Sequence, residues 1–217
     1  MADGLWQTAC GRRPVADGLW LLPALERRRD SIERIHGRLR TSVRKAQGPT
    51  GSPSAAVLDS QSVRTPDQAG VRGYDAGQKI KGRKRHLLVD TLGLVLAVQV
   101  TPASVQDREG AVSLLSGCSF LYHWLACIWA DRGYAGKRVA WVKALRPFGR
   151  LHLDIVRRSD KAEGFQLLPK RWMVERTFGW LVKSRRLRLD DEVKTTHREA
   201  MIPLAMIRLM LKRLASS

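Results

Sequence analysis

Apolar and polar positions follow two rhythms along this chain. From Arg85 to Val100 ("RHLLVDTLGLVLAVQV") the text is almost continuously apolar on either side of Asp90–Gly93. That pattern predicts two buried strands joined by a tight turn. Two shorter runs, "AAVLD" (55–59) and "LACIWAD" (125–131), each close on an aspartate followed by polar turn residues, Ser60-Gln61 and Arg132-Gly133. Each predicts a central strand ending at its acid. A fifth strand is expected at "LHLDIVRR" (151–158). Helical spacing marks the text from Ala24 to Arg44, with Leu25, Ile32, Ile35, Leu39 and Val43 as a rough stripe. It marks "SVQDREGAVSLLS", with Ser104 as its cap, and "GKRVAWVKAL" (136–145) as well. It returns in "RWMVERTFGWLVKSRR" (171–186) and in "HREAMIPLAMIRLMLKRL" (197–214), whose Pro203 falls in the first turns, where it is tolerated. Strand, hairpin, helix, strand, helix, strand, helix implies an α/β fold: a mixed sheet flanked by helices.

One position breaks the second rhythm. Counting by three and four from Glu175 reaches Trp172, Phe178, Gly179 and Val182, which places a carboxylate on the apolar face of its helix. Capping, or pairing with Arg171 one turn back, is the simplest account of a helical glutamate. The other account is that the face turns toward a site.

The Gly/Pro/Ser text "AQGPTGSPSAA" is the strongest boundary signal in the chain. It separates a short, basic, helical N-terminal region (1–50) from the remainder (51–217). Charge adds a partner. With 39 Lys+Arg against 20 Asp+Glu, the 217 residues carry a formal net charge of +19, and the basic residues recur along most of the length. A polyanion such as DNA fits this distribution better than a single localisation signal or a membrane anchor. Hydrophobic content of 44% is enough for a core. There is no apolar stretch of about 18 residues, and no charged leader followed by an apolar region, so a cytoplasmic protein without a membrane partner is expected. Three cysteines, Cys10, Cys118 and Cys127, form no disulfide framework, and Cys118, His123 and Cys127 make a poor zinc spacing.

The acids then form a constellation. Asp59 and Asp131 close two apolar runs, and neighbouring strand ends are where ligands bind in open α/β sheets. With Glu175 they make three like charges that need protons or cations to coexist. Carboxylate oxygens are hard donors that suit Mg²⁺.

"LDSQSVRT", "GYDAGQKIKGRKRHLLVDTLG", "ADRGYAG", "LDIVRRSDKAEGFQLLPKRWMVERTFGWLVKSRRL" and "REAMIPLAMIRLMLKRL" resemble, in that order, the catalytic region of bacterial insertion-sequence transposases of the DDE class. The resemblance covers roughly Pro53 to the C-terminus. It implies a ribonuclease H-like fold with Asp59, Asp131 and Glu175 as the catalytic, metal-binding acids. It also implies two Mg²⁺ (or Mn²⁺) ions, and cleavage at insertion-sequence ends followed by strand transfer. Transposon-end and target DNA would be the partners, a homodimer the active complex, and the nucleoid the setting. Arg171 matches the arginine expected four positions before the glutamate. Leu168 stands where a tyrosine is expected, and Val182 where a lysine is expected, with Lys183 the next basic residue. "WQT" (6–8) and "DSIERIHGRLR" (30–40) also look like family fragments, whereas Cys10–Arg29 does not match. That leaves open a truncated or frameshifted remnant of a DNA-end-binding region.

The run "KIKGRKRH" (79–86) leads into the hairpin, and with Arg171, Lys183, Arg185 and Arg186 it supplies the candidate phosphate contacts: Lys79, Lys81, Arg83, Lys84 and Arg85. Trp172 and Trp180 serve either core packing or stacking on a base. Two other classes stay open: a structure-specific nuclease of the same fold, and a non-catalytic DNA-binding remnant.

Overall fold

The computed structural model describes residues 22–67, 70–118, 124–135, 151–156 and 170–216, without the side chains of 22–29 and 118. Four helices and six strands lie within them. They run α1 (Leu22–Gln47), β1 (Ala55–Arg64), β2 (Gly73–Asp75), β3 (Ile80–Asp90), β4 (Val95–Pro102), α2 (Asp107–Cys118), β5 (Cys127–Ala130), β6 (His152–Ile155), α3 (Trp172–Val182) and α4 (Thr195–Ala215). The strands form one sheet in the order β2-β3-β1-β5-β6, with β4 also paired to β3. β1, β5 and β6 are parallel, while β3 runs antiparallel to β1 and to both β2 and β4. The fold is ribonuclease H-like α/β, as the family resemblance implies.

Strand alternation sorts the core into two layers. Val57, Leu87, Val89 and Val95 face one side, where they meet Val43 of α1, Val174, Phe178 and Leu181 of α3, and Ile202, Met206 and Met210 of α4. Ala56, Leu58, Leu88 and Leu96 face the other, against Ala111, Leu114 and Leu115 of α2 and Tyr134 after β5. The β3–β4 turn closes on Gly93, whose φ of +77° suits a residue without a side chain. Asp90, fully buried, accepts from the backbone N–H groups of Leu92 and Leu94 and from Arg44 at 2.8 Å.

Three expectations change here. β1 does not stop at Asp59: Ser60–Arg64 continue it because β3 extends alongside, pairing as far as Arg64↔Gly82. α2 begins at Asp107, and Ser104 sits in the turn ahead of it rather than at its cap. The boundary at 50/51 does not divide the packing. Val43 lies in the same cluster as Val57 and Met206, Arg44 pairs with buried Asp90, and Arg40 donates to the Val95 carbonyl. Among the described side chains of α1 the buried positions are His36 and Val43, while Ile35 of the expected stripe stays half exposed. "GKRVAWVKAL" lies outside the described residues, and so do His123 and the Cys118 side chain of the zinc spacing. Among the described residues no helix is long and apolar enough to cross a membrane.

Candidate active site

Register sets two acids side by side. The parallel ladder between β1 and β5 ends at Leu58↔Ala130, so Asp59 on β1 and Asp131 just past the end of β5 are the next residues along. Alternation also decides their direction. Val57 faces the α3 layer, so Asp59, two residues on, faces it too. Asp59 is 8% exposed and accepts from the Ser60 N–H at 2.8 Å. Asp131 caps the short 3₁₀ turn Arg132–Tyr134, accepting from the Gly133 N–H at 2.8 Å.

The third acid arrives from α3. Its buried stripe is Val174, Thr177, Phe178 and Leu181, one residue out of phase with the stripe expected from the sequence. Glu175 is therefore not on the buried face. Its side chain is 49% exposed, in company with exposed Trp172, Gly179 and Val182. From that margin it still reaches the strand ends through a shared partner.

That partner is Arg171. Its Nε lies 3.7 Å from Asp59 Oδ2 and 3.3 Å from Glu175 Oε1, and its Nη1 lies 3.5 Å from Asp131 Oδ2. One guanidinium thus faces all three candidate acids. The distances exceed those of good charge-assisted hydrogen bonds, and the buried Nε makes no hydrogen bond. Space beside it is small: a cleft of about 10 Å³, lined by Asp59, Asp131, Trp129, Val156 and Arg171 among others. Burial pushes the Asp59 carboxyl up to about 7. The nearby Arg171 charge and the Ser60 N–H oppose the rise, and the Asp131 and Asp107 charges add to it.

The donor set suits a hard divalent cation, being three carboxylates of which one, Asp59, is left by burial short of compensating charge. As the side chains stand, no three His, Cys, Asp or Glu residues among those described are close enough to hold an ion together. Arg171 occupies the space between them.

Asp107 was not among the sequence candidates. Its Oδ1 accepts from Ser60 Oγ at 2.7 Å and lies 2.9 Å from Lys84 Nζ. Lys84 also pairs with Asp75 at 3.2 Å, and Asp75 accepts from Ser62 Oγ at 2.6 Å. Ser60 and Ser62 share the face of β1 opposite Asp59, so this network braces the strand from behind. An acid in a helix's first turn reads as a dipole-stabilising cap, and nothing else in "QDREG" signals the bracing role.

The basic candidates divide. Lys79–His86 is mostly strand rather than loop, and Arg83, Lys84 and Arg85 are buried within β3. Arg83 donates to the carbonyls of Val71, Glu192 and Val193 and to Asp190. Arg85 donates to Gln61 and to the Leu187 carbonyl. With Lys84 in its carboxylate network, all three are committed to internal partners and do not present their charge to DNA. Lys79, Lys81, Lys183, Arg185 and Arg186 are exposed, Arg186 with Glu192 at 2.7 Å. Trp180 packs against the core under the guanidinium groups of Arg176 and Arg213, and Arg176 also covers Trp172.

Known proteins supply the family. Residues 50–210 match the profile described as "Transposase DDE domain". A protein of Burkholderia cepacia, "Putative transposase for insertion sequence element IS402", is 35% identical over 118 residues. That match spans about half of either protein, 51% of this chain and 54% of the relative. Domains of this type act on DNA and generally use divalent metals. The chain belongs to the transposase DDE domain family of insertion-sequence elements.

Proposed function

We propose that this chain carries the catalytic domain of a transposase that cuts DNA at the ends of its insertion sequence and joins the freed 3′-hydroxyl to target DNA. The reading rests above all on one observation: β1 and β5 end their ladder so that Asp59 and Asp131 stand adjacent, with Glu175 brought to the same guanidinium. Asp59, Asp131 and Glu175 would hold two divalent cations. Bound there, the cations would activate the attacking oxygen and stabilise the leaving one.

The chain's own residues do the rest. Asp59 sits on a central strand fixed on both edges, and the Ser60 N–H orients one of its oxygens. Ser60 and Ser62 commit their hydroxyl protons to Asp107 and Asp75, and the Tyr134 phenol is buried and pushed well up by that burial. None is poised as a nucleophile, which favours direct in-line attack on phosphorus over a covalent protein intermediate. Lys183, Arg185 and Arg186 follow the glutamate on the exposed side and would hold the DNA backbone near the acids, with Lys79 and Lys81 extending the basic surface.

The test uses duplexes carrying the element's end with Mg²⁺ or Mn²⁺. Asp59→Asn, Asp131→Asn and Glu175→Gln should each abolish cleavage and leave non-specific DNA binding within a few-fold. Cleavage retained by any variant removes that acid from the site. A pre-cut 3′-hydroxyl end with a target plasmid separates strand transfer from simple nuclease action.

A further inference from the structure

Arg171 stands in an arrangement that its surroundings do not favour for its own sake. Three carboxylates face its guanidinium at 3.3–3.7 Å, and its buried Nε is left without a hydrogen bond. A fork built for one carboxylate at 2.7–2.9 Å has been set at the middle of three, at a compromise distance from each. A central cation is what three converging acids require, and Arg171 supplies a single charge there. The cleft beside it, lined by Asp59, Asp131 and Arg171 among others, has room for about one water, roughly 10 Å³, and the guanidinium stands where an ion shared by the acids would sit. Departure is sterically simple. Arg171 precedes the first residue of α3, and its side chain is one-third exposed, so a rotamer change moves it without unfolding anything.

We propose that Arg171 is a built-in counter-cation: it holds the three acids in place when no metal is bound, competes with the metal for them, and yields when a DNA phosphate gives the guanidinium a new partner. The inference rests on the reading of Asp59, Asp131 and Glu175 as a metal site. It makes metal and DNA binding mutually reinforcing through one side chain. Whatever factor DNA adds to metal affinity, metal must add to DNA affinity. A chain without DNA thus has its site assembled but closed by its own arginine, and is not charged with metal away from its substrate.

Mn²⁺ binding measured by the loss of free-ion spin resonance, without any turnover, tests this on the full chain. Wild type should bind Mn²⁺ weakly alone and at least about tenfold more tightly with a short duplex. Arg171→Gln should bind Mn²⁺ at least about tenfold more tightly than wild type without DNA, and the duplex should then change its affinity less than about twofold. Lys170→Gln removes the neighbouring exposed charge and controls for general electrostatics; it should tighten binding less than about threefold and keep the DNA effect. Arg171→Lys keeps the charge but not the fork, and should fall between wild type and Arg171→Gln. If Arg171→Gln tracks Lys170→Gln, or retains the wild-type response to DNA, the counter-cation role is overturned while the metal site stands. If wild type and Asp59→Asn bind Mn²⁺ alike, the metal site itself is wrong and the role falls with it.

Discussion

Replacing Asp59 by asparagine should make the metal-free protein more stable, even though it should destroy the site. The carboxyl is 8% exposed, and burial pushes it from an ordinary 3.8 up to about 7, against the pull of Arg171 and the Ser60 N–H. A group raised in the folded state binds its proton more tightly there than in the unfolded chain. Its contribution is therefore fully present below pH 3.8 and is lost as pH rises through 7. At about 1.4 kcal/mol for each pH unit, the ionised carboxylate costs up to about 4 kcal/mol at pH 8. Asparagine keeps the shape and can accept the Ser60 N–H without the charge, so Asp59→Asn should gain about 2–4 kcal/mol at pH 8. At pH 4 the wild-type carboxyl is already neutral in the folded chain, and the gain should shrink below about 1 kcal/mol. Urea unfolding of both proteins at the two pH values, in a chelator, reads this directly. A gain of equal size at both would show that charge is not the cause. A loss of stability at pH 8 would refute the claim that Asp59 is strained by its burial.

Other expectations follow from the packing. A chain beginning at Ser52 loses Val43, Leu39 and the Arg44–Asp90 pair from the α1 side of the core. It should melt well below the full chain or fail to fold, and Arg44→Ala alone should cost about 2–4 kcal/mol by leaving buried Asp90 without its cation. His36 and His86 are both buried and held down to about 4. Their neutral forms stabilise the fold above pH 6.5, and that stability should be lost as pH falls from 6.5 toward 4, a slope that His36→Gln should reduce in equilibrium unfolding. Neutralising Lys79, Lys81, Lys183 and Arg185 together should weaken DNA binding and flatten its dependence on salt by roughly one unit of slope for each phosphate no longer neutralised. Arg83→Ala should instead appear as lowered stability, with the slope of the folded fraction unchanged.

Much of the fold was legible because burial on both sides of a strand writes itself as an unbroken apolar run. "RHLLVD", "LVLAVQV" and "CIWA" became β3, β4 and β5 for that reason. The continuation of β1 through Ser60–Arg64 was not legible. Those residues are polar, and they stay extended because β3 lies alongside, with Ser62 bonded to Asp75 and Gln61 to Arg85. Tertiary pairing overrode local composition. The basic run misled in the same way. Lys and Arg are read as surface residues, but carbonyls and carboxylates waiting in the 190–193 loop and at Asp75 and Asp107 draw Arg83 and Lys84 into the interior. None of those partners is near in sequence. The packing of α1 was not legible for a similar reason: the Gly/Pro/Ser stretch marks a bend in the chain, and nothing near Val43 and Arg44 in sequence shows that their partners lie beyond it.

At the candidate site, the motifs singled out three acids that the structure sets around one arginine, but they did not reveal the electrostatics there. Glu175 on a buried face would have been a stranded charge, and half exposed at the margin of α3 it is not. The strain falls instead on Asp59, which is buried beside other acids and faced by an arginine that serves two more. This division has a consequence for how the site could change. A cation entering among these residues gains most at Asp59, the acid whose charge is least supported. The most exposed of the three acids, Glu175, sits on α3, whose first residue Arg171 precedes. Movement of the N-terminal turn of α3 would therefore reposition one carboxylate and the competing guanidinium together, while Asp59 and Asp131 stay fixed by the ladder between β1 and β5. The strands thus hold two of the three acids in fixed register, and on the counter-cation proposal the start of α3 would be the half that responds to DNA.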